Sequence, residues 1–189
     1  RIDAYYYQPK FEEVEKAVKK GKFEVKELKE LLEYAKKGIE VGSKEYVNEG
    51  VPFVRVADID DYKINLENTD KKITFELFEK IKEDYKPKRD EILYSKDGTI
   101  GFCVVVNEDK DFIISGGILR LKTKKEVNNL YLKTILSNSL FKLLAEKESI
   151  GAIIKHLTPD SLLSLKIPLP PISVQDKIAE EVKSRMQKA

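Results

Sequence analysis

Few residues here could do chemistry, and none falls into a catalytic pattern. His156 is the only histidine and Cys103 the only cysteine. A nucleophile needs a neighbouring base that a third group holds in place, and no serine stands on a Gly-x-Ser-x-Gly turn. Both glycine-rich phosphate-binding loops are missing, as is the Asn/Asp-Pro-Pro-Tyr/Phe motif of amino-methyltransferases. Pro159-Asp160 with Glu181-Val182-Lys183 imitates the Pro-Asp…Glu-x-Lys pattern of metal-dependent nucleases. There the carboxylates converge on Mg²⁺ from a sheet. Here Asp160 heads one predicted helix and Glu181 lies on another, and Glu-x-Lys recurs at Glu24 and Glu27. No catalytic or metal site is assigned. What remains is a presented polar tip. Residues 93–101, Leu-Tyr-Ser-Lys-Asp-Gly-Thr-Ile-Gly, read as strand, turn, strand, because glycine after Asp97 accepts the positive φ of a hairpin. Ser95, Lys96, Asp97 and Thr99 could meet an anionic partner, or simply be solvated.

That tip must be carried by neighbouring elements. Pro9 suits the first turn of a helix, with Phe11, Val14 and Val18 on one face and Gly21 ending it. Leu28, Leu31, Leu32 and Ala35 have the spacing of a second helix, stopped by Gly38. Residues 38–50 form a polar loop, 51–59 a strand, and 74–82 a helix broken by Lys86-Pro87. The apolar run 100–106 is the hairpin's return strand. Residues 112–114 and 118–123 are further strands around a Ser115-Gly116-Gly117 kink. Residues 128–147 read as one buried helix. A loop at 149–156 precedes a short helix capped by Thr158, with Pro159 at its first position. The prolines of 167–171 require extended chain. The last helix starts at Ser173, with Asp176 as a capping-box partner. The fold class is α+β, a mostly antiparallel twisted sheet with flanking helices. The last helix carries a thin apolar stripe, Val174, Ile178, Val182 and Met186. Such a stripe suits a coiled-coil seam with another helix, or a terminal helix lying on its own domain.

At 189 residues with 41% hydrophobic content, one domain with a real core is expected, plus an appendage. Charged residues make up 36%, but the net charge is only +2, so any nucleic-acid contact needs its cations sorted onto one face. Cys103, inside an apolar strand, reads as a buried inert thiol. With no internal disulfide and no apolar run of spanning length, a cytoplasmic, non-membrane protein is expected. The chain opens on Arg1 rather than Met, so an excised piece of a longer polypeptide is expected.

Five stretches in order carry a resemblance. They are Arg1-Ile2-Asp3-Ala4-Tyr5-Tyr6-Tyr7-Gln8-Pro9-Lys10, Gly50-Val51-Pro52-Phe53-Val54-Arg55-Val56-Ala57-Asp58-Ile59, and Asp90-Glu91-Ile92 running into the hairpin. Ser115-Gly116-Gly117-Ile118-Leu119-Arg120 follows. Last comes Gly151-Ala152-Ile153-Ile154-Lys155-His156-Leu157-Thr158-Pro159-Asp160, running into Ile167-Pro168-Leu169-Pro170-Pro171 and Gln175-Asp176-Lys177-Ile178-Ala179. In that order they resemble the target recognition domain of type I restriction-modification specificity subunits, over nearly the whole chain.

The resemblance implies a non-catalytic DNA reader for one half of a split double-stranded target. Residues 1–171 would be the recognition domain, and 172–189 the start of a spacer helix in an antiparallel coiled coil. It implies no cofactor in this chain, with S-adenosylmethionine bound by a partner methyltransferase. Implied partners are duplex DNA, the modification subunit, a restriction subunit in the larger assembly, and a second recognition domain or second copy through the last helix. Two other readings stand beside it. One is the C-terminal recognition domain of a fused, type IIG-like methyltransferase-endonuclease. The other is a protein-interaction module using the terminal helix and Tyr5-Tyr6-Tyr7.

Duplex DNA asks for cations at phosphates and for amide, hydroxyl or planar groups at base edges. Lys37, Lys44, Lys88, Arg89 and Lys155 are expected at phosphates, and Ser43, Ser95, Lys96, Ser115 and His156 nearer the bases, on one basic concave face. For any one of these residues, a solvated or structural role is the alternative. Arg55 and Arg120 could pair with carboxylates to hold the sheet, and Asp58, Gly98 and Gly101 suit structural roles. Stretches between the motifs, such as residues 62–83 and 107–111, are left to carry target-specific contacts.

Overall fold

The computed structural model describes residues 9–67, 69–149 and 156–188. Helix α1 (Pro9–Lys19) leads to strand β1 (Glu24–Glu27), a 3-10 turn (Leu28–Leu31) and β2 (Leu32–Lys37). Then come β3 (Tyr46–Val47), β4 (Val51–Val54), β5 (Lys72–Ile73) and α2 (Phe75–Tyr85). The hairpin strands are β6 (Ile92–Ser95) and β7 (Cys103–Val105), followed by β8 (Ile113–Ile114) and β9 (Ile118–Thr123). Helices α3 (Asn129–Ser137), α4 (Ser139–Glu148) and α5 (Pro159–Leu163), strand β10 (Lys166–Leu169) and helix α6 (Ile172–Lys188) complete the order.

The strands make three sheets among the described residues: β2-β9-β6-β7, β3-β5-β4-β8, and the pair β1-β10. Pairing is antiparallel except between β4 and β8. The first sheet is central because both its faces are buried. Ile92, Tyr94, Cys103, Leu119 and Leu121 pack against the helices, on Val14, Leu132, Leu144 and Leu162. Leu93, Val104 and Ile118 face the second sheet, on Val54, Phe112 and Ile114. Alternation along each strand sends neighbouring residues to opposite layers. Cys103 is fully buried, and burial pushes its thiol pKa up.

Two expected helices are altered. The stretch read as a second helix is a 3-10 turn and then β2, which pairs with β9 from Leu32↔Thr123 to Lys37↔Leu119. A register shift between Leu32 and Tyr34 is the physical reason. A bulge inserts one residue, so Leu32 and Ala35 both reach the helix-side core at a spacing that imitates a helix. The single helix expected over 128–147 is broken at Asn138, which adopts φ −66 and ψ 141 and caps α4 through its side chain. Asn is among the best N-caps, so it starts a new helix rather than continuing the old one. The hairpin forms, but with a wider turn than Asp-Gly suggests. Ser95 N–H donates to Phe102 O at 2.9 Å and Gly101 N–H to Ser95 O at 3.0 Å, and together they close a wide tip. Gly98 and Gly101 bend that tip with φ of 64 and 95, where a Cβ would be strained.

A buried polar cluster ties the layers together. Glu91 is fully buried, and Arg120, from β9, is only 2% exposed. Arg120 Nε lies 3.8 Å from Glu91 Oε2, and its Nη2 donates to Asp84 O at 2.9 Å. Its Nη1 donates to Lys86 O. These carbonyls end α2, where a cation is favoured by the helix dipole. Glu91 also accepts from Tyr34 OH and from Lys88 N–H, the latter at 2.9 Å. Arg55 pairs with the buried Asp58 and, nearer the surface, with the exposed Asp70.

Burial, then the Glu91 hydrogen bond and charge, push the Tyr34 phenol up to about 12. Burial raises Tyr131 to about 12 as well. A folded-state pKa above the unfolded one stabilises fully below the unfolded value and is lost as pH climbs through the folded one. Stability is therefore expected to fall between pH 10.0 and about 12. Tyr34→Phe should flatten part of that fall, read as melting temperature against pH. An identical slope in wild type and variant would contradict it.

Candidate nucleic-acid interface

The candidate site is built at the end of the central sheet where β6 runs out. Ser95 pairs with Ile118, and Lys96 N–H donates to Gly117 O at 2.9 Å. The turn at 115–117 is thereby fixed under the hairpin tip. It also pairs with the chain leaving β2, through an Ile39–Ser115 bridge and Gly116 N–H to Ile39 O at 3.0 Å. Gly116 lies against the side chains of Lys37 and Glu40, and Gly117 faces Asp97. From the far side, His156 bridges to Asp97, and Leu157 N–H donates to Lys96 O at 2.8 Å. Four segments far apart in sequence thus meet at one end.

Asp97 is the centre of this meeting. Its Oδ2 takes Lys96 Nζ at 2.7 Å, and its Oδ1 takes His156 Nδ1. The Lys96 ammonium is 2% exposed, whereas the His156 side chain is half-exposed. The carboxylate therefore neutralises a buried cation and orients an exposed imidazole. Nε2 is left for an outside partner, since a held Nδ1 decides which ring nitrogen is presented.

This corrects three expected base contacts. Ser95 is fully buried, its Oγ donating to Thr99 O at 2.6 Å and accepting from Phe102 N–H at 2.8 Å. Lys96 points inward to Asp97. Ser115 is buried beneath the turn. The hydroxyls and the ammonium hold the tip's shape, because a wide turn leaves N–H and C=O groups that need partners. Lys37 and His156 stand exposed at this end, and Ser43 and Lys44 follow Ile39 by a few residues in an exposed 3-10 turn. Lys155 lies outside the described residues, as do Tyr5-Tyr6-Tyr7.

Lys88 and Arg89 are exposed but elsewhere. They precede β6, whereas Lys96 follows it. Strand rise puts roughly 15–20 Å between them. The single basic face is thus two separate groups. The second lies by Lys86, which pairs with Asp109 and Asp111. Among the described residues, Lys37, Lys44, Lys88 and Arg89 make no ion pair, so their charge is available to a polyanion.

Helix α6 leaves from the opposite side. Its buried face is Gln175 and Ala179, not the apolar stripe. Gln175 Oε1 accepts from Asn128 N–H at 2.9 Å, and Nε2 donates to Pro170 O at 2.8 Å and Glu126 O at 3.3 Å. Val174, Ile178 and Val182 remain half-buried. The Met186 side chain lies outside the described residues. Among the described residues no helix is long and apolar enough to cross a membrane.

A family model described as the type I restriction modification DNA specificity domain matches residues 20–185. The chain belongs to that family. A Haemophilus influenzae protein named as a type I restriction enzyme specificity subunit is 31% identical over 125 residues, covering 64% of this chain and 31% of its own length. Among solved structures, the HsdS subunit of Thermoanaerobacter tengcongensis matches with TM-score 0.64 at 17% identity, over 94% of this chain and 44% of that one. The type I system S subunit of M. genitalium matches with TM-score 0.61 at 15% identity, over 86% and 38%. At such identities the likeness is one of fold. The specificity domain therefore spans a third to under half the length of these relatives. The motifs that suggested the family hold the core: Arg120, Glu91, Gly101 and the 115–117 turn are structural. Sequence reading missed Asp97 as the shared acceptor and Gln175 as the rivet. A polar residue beside a glycine turn, or a glutamine in a helix's first turns, carries no signal of its partners.

Proposed function

We propose that this specificity domain reads one half of a split duplex DNA target for a type I restriction-modification assembly, and contributes no catalysis itself. Family membership over residues 20–185 carries the reading. The exposed end bearing Lys37 and His156 would face the duplex, with Lys37 at a phosphate and His156 near base edges, and Ser43 and Lys44, in the exposed turn before β3, would reach the duplex further along. Lys88 and Arg89 would take more distant phosphates. The modification subunit would bind S-adenosylmethionine and transfer the methyl group, and a restriction subunit would join the larger assembly. Residues 172–189 would begin the spacer. The half-buried stripe of Val174, Ile178 and Val182, adjoining the Gln175–Ala179 seam, would pack on a second helix as a coiled coil.

The test is selection of duplexes from a random pool by the full-length protein assembled with its methyltransferase. Enrichment of a defined half-site is expected. Lys37→Ala should weaken all sequences alike and lower the salt slope by about 1. Equal retention of every sequence would sink the reading.

A further inference from the structure

Tyr62 is the most exposed large hydrophobic side chain among the described residues, at 70%. It is held out rather than left loose. Asp60 Oδ1 accepts from Tyr62 N–H at 2.7 Å and from Lys63 N–H at 2.8 Å, closing a tight turn bracketed by an Ile59–Ile64 bridge. Asp61 fastens the turn to the sheet, accepting from Cys103 N–H at 3.1 Å and pairing with Lys142 Nζ at 2.5 Å. The nearby carboxylates are thus occupied by N–H groups and an ammonium. Above the ring, the buried Lys133 places its Nζ 5.6 Å from the centroid. Lys63 stands exposed beside it, and neither lysine makes an ion pair among the described residues.

The turn lies along β7: Asp61 reaches Cys103 beside the hairpin tip, and Tyr62 and Lys63 line a cavity with Val105, Asn107 and Glu108. Lys142, which holds Asp61, packs its stem against Gly101 in the hairpin tip. The tip in turn carries Asp97 and His156. An aromatic ring on a preorganised turn, with the exposed Lys63 beside it, is the composition that meets nucleic acid, ring against sugar or base and ammonium at a phosphate. Fixing the ring beforehand cuts the ordering cost of binding.

Resting on the DNA-reading function above, we propose that Tyr62 is a DNA-contact residue. Its ring packs on the duplex beside β7, with Lys133 held behind it, and Lys63 takes a flanking phosphate. The probe is the duplex enriched in the selection above, with a scrambled duplex as control. Tyr62→Ala in the assembled complex should lower affinity for the enriched duplex roughly tenfold while leaving the unfolding midpoint unchanged. Cys103 is fully buried, so within these residues Tyr62→Cys adds an accessible thiol. Its maleimide modification, read by mass on the peptide that carries position 62, should slow roughly tenfold with the enriched duplex and not with the scrambled one. If the complex binds the enriched duplex yet the thiol reacts at its free rate, the Tyr62 contact is wrong and the DNA-reading function stands. A complex that binds both duplexes equally overturns both.

Discussion

Arg120→Met is expected to remove about 3–5 kcal/mol of folding stability, the range for breaking a buried ion pair by deleting one partner. The size follows from what is left behind. Glu91 is fully buried and would lose its cation, while Asp84 O and Lys86 O at the end of α2 would lose their donors. Domains of this size hold only about 5–15 kcal/mol in all, so the variant should populate unfolded chain. Pairing it with Glu91→Gln separates causes. If the uncompensated carboxylate dominates, the double variant regains part of the loss; if the helix-end carbonyls dominate, it does not. Urea unfolding measures both. A loss below about 1 kcal/mol, as at an exposed pair, would show that this cluster does not join α2 to the central sheet.

Asp97→Ala is expected to act on stability and on DNA binding together. Lys96 keeps only 2% exposure, so removing Asp97 strands a buried ammonium, and His156 loses its anchor. Asp97 is itself partly exposed, which lets water soften the effect to about 2–3 kcal/mol. Adding Lys96→Met should recover much of the stability, since the cation that needed pairing is gone, but should not restore His156. Thermal melts would then separate from affinity: stability returns in the double variant while DNA discrimination stays impaired. Recovery of both would mean that His156 needs no anchor. Lys96→Ala, expected from sequence to relax base choice, is instead expected to disturb the tip.

The family and class were legible because they rest on spaced local signals. Helix α1, the Thr158 cap and strand β9 follow from propensity, capping and alternation, and each is where the sequence predicts. The second helix failed because a bulge lets a strand imitate helical spacing, and no local signal marks a bulge without its partner strand. Helix α6 was found, but not the residue that docks it on this domain. Hydrophobic pattern favours valine and isoleucine, whereas the residue that docks it is Gln175, through three hydrogen bonds.

By itself the sequence determined a non-periodic α+β chain, the hairpin at Asp97-Gly98, the basic and polar residue types available to a polyanion, and membership of the specificity family. Only the tertiary structure decided which of those residues face water. Exposure depends on how strands far apart in sequence pair. Ser95 ends, and Lys96 follows, a strand whose neighbours are β7 and β9, and Asp97 finds His156 across 59 residues. A lysine's type says it can meet a phosphate. Whether it meets one, or a buried carboxylate instead, is set by long-range packing, in which desolvation makes the nearest acid the stronger partner.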